Sequence, residues 1–242
     1  MTGPFRIAVV NPNTTTTMTD RVVAAATPAA RPDTVLVPVT PTSGVPSVES
    51  HIDEVHAALS VLVEVERLEA LPPGERPDAY VVACFGDTGL PGAREAARGP
   101  VVGMTEAALL TATQIAHRFT VITMPPRTRE QSDRVVLTLG LGHRVVVRAV
   151  DEPVSAVADS SLQLLDLFAA EGRRAIEEDA AEAIVLGCAG LAELVEPLSE
   201  ALGVPVVEGV AAAVVLAEGM LAQGLGTSRI ATWQAPTPGG AS

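Results

Sequence analysis

Short apolar runs alternate along the chain with longer segments whose apolar residues recur every three to four positions. The runs near 5–10, 34–39, 79–84 and 100–102, and again near 119–123, 144–150, 183–188 and 205–207, are rich in Val and Ile and almost free of polar residues. Such runs predict strands buried on both faces. Helical spacing predicts helices near 14–27, 50–71, 89–98 and 105–117, then near 128–139, 154–180, 190–202 and 209–223. Regular strand–helix alternation builds parallel sheets with helices on both sides, so the expected fold class is α/β.

The pattern occurs twice. Ala79-Tyr80-Val81-Val82-Ala83-Cys84-Phe85-Gly86 is echoed by Ala183-Ile184-Val185-Leu186-Gly187-Cys188-Ala189-Gly190, and Pro100-Val101-Val102 by Pro205-Val206-Val207. Asp20-Arg21-Val22-Val23 returns as Asp133-Arg134-Val135-Val136, and the Phe5–Val10 run followed by Asn11-Pro12 has its counterpart in Phe119–Thr123 followed by Met124-Pro125-Pro126. Four matches in one order indicate a duplicated parallel-sheet unit. The expected division is a first lobe of residues 1–104 plus 208–233, a second lobe of 105–207, and a Pro/Gly-rich tail, 234–242, expected to be disordered.

Composition narrows the function. With 16 basic and 29 acidic residues the formal net charge is −13, which disfavours nucleic acid or an anionic membrane as partner. Only six aromatic residues are present, too few for base-stacking platforms. All 16 basic residues are Arg, so without a lysine no Schiff base to a side chain of the chain can form. No apolar stretch is long enough to span a bilayer and the first residues lack a signal-peptide core, giving an expectation of a cytoplasmic protein. Two cysteines and four scattered histidines support neither a disulfide scaffold nor a metal site.

Those two cysteines carry the chemistry. In an open parallel sheet, ligands bind beyond the carboxyl ends of the strands, and Cys84 and Cys188 each close a predicted strand. A buried thiol is often only a small hydrophobe. Here, however, the only two cysteines occupy equivalent places in the two copies, and a pseudo-two-fold axis would set them face to face across a cleft. Opposed thiols suit inversion of a carbon acid: a thiolate removes the proton from one face and a thiol returns one to the other. The amides of Phe85, Gly86, Ala189 and Gly190 are candidate donors to the carbonyl that takes up the charge, and the helices that follow both turns are expected to lower the thiol pKa values. Asn11-Pro12-Asn13-Thr14 after the first strand and Pro41-Thr42-Ser43-Gly44 after the second reach the same end of the sheet, as helix cap and turn or as ligand contacts.

These motifs resemble the aspartate/glutamate/hydantoin racemase superfamily, and within it the hydantoin racemase branch that includes allantoin racemase. The resemblance rests on Asn11-Pro12-Asn13-Thr14, on Cys84 within Ala83 to Leu90, on Leu186-Gly187-Cys188-Ala189-Gly190, and on the segment 205–214, and it extends from about Phe5 to Arg229. It implies two pseudo-symmetric Rossmann-like lobes with the active site in the cleft between them, the last helix packed on the first lobe, cofactor-independent racemisation, no metal and frequent homo-oligomers. By the same resemblance Cys84 and Cys188 are the acid/base pair, and Asn13, Ser43, Gly44, Phe85, Gly86, Thr123, Ala189 and Gly190 bind a small-molecule substrate with a hydantoin-type ring. Amino-acid racemases of the superfamily usually carry Thr then His after the second cysteine; Ala189-Gly190 at that place favours a neutral cyclic imide. Thr88 stands where the branch typically has Pro.

The expected function is inversion of C5 of a 5-substituted hydantoin or of allantoin. A maleate-type cis–trans isomerase also uses two cysteines, but its dicarboxylate calls for cationic anchors that these motifs lack. Arylmalonate-type decarboxylation uses only the second cysteine. A non-catalytic two-lobed binding protein with inert thiols is the reading from a different class.

Overall fold

The computed structural model describes residues 4–157 and 160–234. Two parallel four-stranded sheets form its frame. In the first, β1 (Arg6–Val10), β2 (Val35–Val39), β3 (Ala79–Val82) and β4 (Val101–Gly103) lie in the order β2-β1-β3-β4. In the second, β5 (Phe119–Thr123), β6 (Val145–Ala149), β7 (Ala183–Gly187) and β8 (Val206–Val207) lie in the order β6-β5-β7-β8. Adding four to each strand number of the first order yields the second, so the duplication legible in the motifs is also a duplication of topology. Every residue of β3, β5 and β7 is buried, as predominantly apolar strands between helical layers require.

The chain order reverses direction between β1 and β3, and again between β5 and β7, which places a crevice beyond the carboxyl end of each central pair. Register brings Val10 beside Val82 and Thr123 beside Gly187, so the loops after β1 and β3 are neighbours, as are those after β5 and β7.

Helices α1 (Thr16–Ala26), α2 (His51–Glu69), α3 (Leu90–Ala96) and α4 (Met104–Ile115) belong to the first half of the chain. Helices α5 (Arg129–Thr138), α6 (Leu165–Asp179), α7 (Val195–Leu202) and α8 (Gly209–Ala222) follow. Helix α8 packs against α4, α1, β3 and β4, while α4 also touches β7. Small buried residues, Ala107, Ala108 and Ala112 on α4 and Ala213 and Ala217 on α8, let these helices approach closely, and one core cluster runs through them from the first sheet to the second. A smaller cluster, with Val61, Val65 and Leu68 of α2, fills the other face of the first sheet. The alanine-rich composition thus serves close helix packing at the join of the lobes.

Ion pairs cross between the lobes, among them those of Arg134 and Arg21. Arg134 on α5 meets Glu54 on α2 at 2.5 Å, and Arg21 on α1 meets Glu193 at 2.9 Å. Being partly exposed, each is worth at most about 1 kcal/mol. Arg21 also donates to the carbonyl of Val157.

Helix positions match the periodicity except where the chain covers the crevice. Instead of one helix over 154–180 there are 3-10 turns at Val154–Val157 and Leu162–Leu164, and α6 begins only at Leu165. Ser160 and Ser161 sit between these turns, and three of their donors, the Ser160 hydroxyl and the Ser161 amide and hydroxyl, converge on the Glu193 carboxylate. Serine in a helix interior competes for such bonds and favours ends over middles. Residues 189–202 are likewise divided, into a 3-10 turn Ala189–Leu194 and α7. Of the tail expected from residue 234, only Gln234 is among the described residues.

Candidate active site

One cavity collects the ends of the central strands of both sheets. Asn11, Pro12 and Asn13 follow β1, and Ala83, Cys84 and Phe85 follow β3. From the second lobe come Thr123 and Met124 at the end of β5, Thr128 and Gln131 just beyond, and Gly187, Cys188 and Ala189 at the end of β7. Met18, Val48 and Val154 complete the wall. Both cysteines therefore line one space, as equivalent elements of the two lobes.

Asn11 knits the loop after β1. Its Nδ2 donates to Asn13 Oδ1 at 2.9 Å and to Thr19 Oγ1 at 3.0 Å, and its Oδ1 accepts the Asn13 amide at 3.1 Å. Asn13 Oδ1 also accepts the Thr15 amide at 3.0 Å, an Asx turn that leads into α1. The oxygen of Asn13 is thereby consumed by the loop, leaving its Nδ2 as the group available to a ligand.

The turn after β3 is built from Cys84 to Gly89, with Gly86, Asp87 and Gly89 at positive φ. Buried Asp87 holds it: its two carboxylate oxygens accept the Thr105 and Glu106 amides, at 2.8 and 2.9 Å, from the first turn of α4. Burial pushes the Asp87 carboxyl up to about 7 in spite of these amides, which pull it down. Gly103 passes so close that an added Cβ would lie 2.3 Å from the Asp87 carboxyl carbon. Gly103→Ala is therefore expected to displace Asp87 and cost about 2–4 kcal/mol through clash and stranded amides, together with most of the activity. Urea unfolding and a rate assay check this, and a variant with wild-type midpoint and rate would refute it.

Both thiols are raised, not lowered. Burial pushes Cys84 up to about 12, with the Thr88 hydroxyl, 3.5 Å from its sulfur, pulling down and Cys188, Asp87 and Glu54 pushing further up. Burial pushes Cys188 up to about 11; the Gly190 amide pulls down, Glu208 and Glu49 push up, and Arg21 pulls down. Each sulfur does gain a nearby donor, but desolvation outweighs it. Glu208, itself raised by burial, caps α8 through the Val210 and Ala211 amides.

Of the residues expected at the ligand, Asn13, Phe85, Thr123 and Ala189 line the cavity with the cysteines. Thr123 spends its hydroxyl on the Gly187 carbonyl at 3.0 Å. Gly86 lies behind the wall, and its amide is taken by Thr105 Oγ1 at 2.7 Å, so it is no donor to a ligand. Gly190 turns its amide on the Cys188 sulfur and faces a separate hollow beside Arg21. Ser43 and Gly44 line a different cavity, against His56 and Ser60 of α2; Val48, further along the same loop, is the residue that reaches the cysteines. Residues that sequence reasoning missed are Met18, Val48, Thr128, Gln131 and Val154. Among the described residues no group of three His, Cys, Asp or Glu side chains is placed to hold a metal ion, and no helix is long and apolar enough to cross a membrane.

Residues 7–217 match the family model described as Asp/Glu/Hydantoin racemase. The chain belongs to this family. It is 41% identical to the hydantoin racemase of Pseudomonas sp. (strain NS671) over 96% of its own length and 92% of that protein's. Among solved structures, the allantoin racemase from Klebsiella pneumoniae superimposes with a TM-score of 0.89 at 41% identity, covering 96% of this chain and 94% of the other. Allantoin racemase from Pseudomonas fluorescens gives 0.91 at 37% identity, covering 97% and 98%. These relatives are isomerases, and family membership places the chain in that enzyme class.

Proposed function

We propose that the protein racemises C5 of a 5-substituted hydantoin or of allantoin, with Cys84 and Cys188 as the two acid/base groups. The observation that carries this reading is that the only two cysteines of the chain end equivalent strands of the two lobes and line one cavity. In the reaction one sulfur, as thiolate, takes the C5 proton. The electron pair left on C5 moves into the adjacent C4 carbonyl as an enolate, and the opposite S–H returns a proton to the other face. The bases have then exchanged protonation states, ready for the reverse enantiomer. The amides of Phe85 and Ala189, each following a cysteine on the cavity wall, are suited to bond the C4 oxygen as charge develops there.

Among the described residues no Arg, Asp or Glu lines the cavity, which fits a neutral ring and disfavours the dicarboxylate of a maleate-type isomerase. The test is decay of optical rotation of single enantiomers of a hydantoin panel that includes allantoin, without added cofactor or metal. Decay above the spontaneous rate, persisting in chelator, is expected. No decay with any member, combined with thiols that alkylate no faster than those of the urea-unfolded chain and gain no protection from ligand, would favour the non-catalytic binding protein.

A further inference from the structure

Gln131 is the polar residue of the cavity that neither the loops after the strands nor the thiol chemistry employs. It sits in the first turn of α5, is 4% exposed, and lines the space shared by the cysteines. Among the described residues its side-chain amide has no hydrogen-bond partner, whereas neighbouring Thr128 and Thr123 spend their hydroxyls on the carbonyls of Pro125 and Gly187. Gln131 also reaches across to the opposite lobe. A Cβ placed on Gly86 would lie 3.0 Å from Gln131 Cβ and 3.4 Å from its Oε1, so the bare Gly86 gives the side chain its room beside the Cys84 turn. The Gln131 amide atoms are not sealed off from the cavity they line, so both remain open to a ligand.

Building on the proposed reaction, we infer that Gln131 reads the imide edge of the substrate ring. A primary carboxamide offers a donor and an acceptor side by side, and the N3–H and C2=O of a hydantoin present a donor and an acceptor at matching spacing. Gln131 Oε1 accepts N3–H while its Nε2 donates to the C2 oxygen. Asn13 Nδ2, from the other lobe, is the remaining side-chain donor on the wall. The edge read by Gln131 is remote from C5, so the contact exists equally before and during proton transfer. It sets which rings bind, not how fast the bound ring reacts.

The experiment compares wild type and Gln131→Met, with Gln131→Leu as a second probe, on a 5-substituted hydantoin and its N3-methyl derivative. The expected result is a KM raised about 10- to 100-fold for the parent ring, with kcat within about threefold of wild type. N3-methylation should weaken wild type by a similar factor and the variants little further, because the methyl group removes the N3–H bond and holds the carboxamide off an edge that the variants no longer read. Turnover of the methylated ring by the variants at the wild-type rate also shows that they fold. A variant that keeps the wild-type KM, loses kcat on both rings, or suffers the full methylation penalty on top of its own overturns the role of Gln131 while the proposed reaction stands. Wild type that racemises neither ring overturns the proposed reaction and this inference with it.

Discussion

Cys84→Ser is expected to stop net racemisation of both enantiomers, lowering kcat by about 10³-fold or more, and yet to leave one enantiomer exchanging its C5 hydrogen with solvent. Loss of a positioned acid or base removes about 10²–10⁴-fold from such a reaction. In this variant Cys188 still abstracts from its own face and returns a solvent-derived proton to that face, while the serine hydroxyl opposite is too weak an acid to complete the inversion. Cys188→Ser should leave exchange of the other enantiomer only. Deuterium incorporation into each pure enantiomer, corrected for spontaneous exchange, checks both variants. Single variants that racemise at the wild-type rate, or that retain exchange of the same enantiomer, would sink the opposed-thiol mechanism.

Much of this arrangement was legible in the sequence because it follows from patterns of short range. Strands buried on both faces are predominantly apolar, and the run predicted at 119–123 coincides with β5, whose Thr120 and Thr123 are buried with their hydroxyls bonded to Asp179 and to the Gly187 carbonyl. The cysteines were found by position, since a duplicated unit places equivalent residues at equivalent strand ends. What escaped depends on contacts distant in sequence. Ser160 and Ser161 break the expected helix over 154–180 because Glu193, some thirty residues on, takes their donors. Gly86 looked like a free amide until Thr105, brought in by α4, claimed it. Gln131 lies in a run of Arg, Thr and Glu that reads as a solvated helix start, and only the approach of the opposite lobe buries it. The direction of the thiol pKa shifts departs from the sequence-based expectation for a related reason. Helix-terminal amides are visible in sequence, whereas desolvation by Met18, Val48, Thr128 and Val154 is not.

That direction leads to the second large effect, a steep rise of activity with pH. The proposed reaction requires one thiolate and one thiol at once. With both groups raised by burial, the free enzyme near neutrality holds two thiols, and at pH 7 only about one molecule in 10⁴ carries the Cys188 thiolate. Because kcat/KM reports the ionisation of the free enzyme, it should climb about tenfold per pH unit, and so about 100-fold from pH 6 to pH 8. Thr88→Val removes the hydroxyl that pulls Cys84 down, and should push that thiol higher still. Stability runs the opposite way. The unfolded chain ionises its thiols near their ordinary value of about 9, while the native chain keeps both protons up to about 11 and 12. Between those limits the unfolded state binds fewer protons, so the contribution of these thiols to stability, complete below pH 9, is lost as pH rises through 11 and 12. Replacing either cysteine by serine should make this alkaline loss shallower by one proton's worth. Rates from pH 6 to 8 and urea midpoints from pH 8 to 11 test the two halves separately. A kcat/KM already level at pH 7 would mean that a thiolate preexists in the empty cavity, and that something other than burial governs the pair.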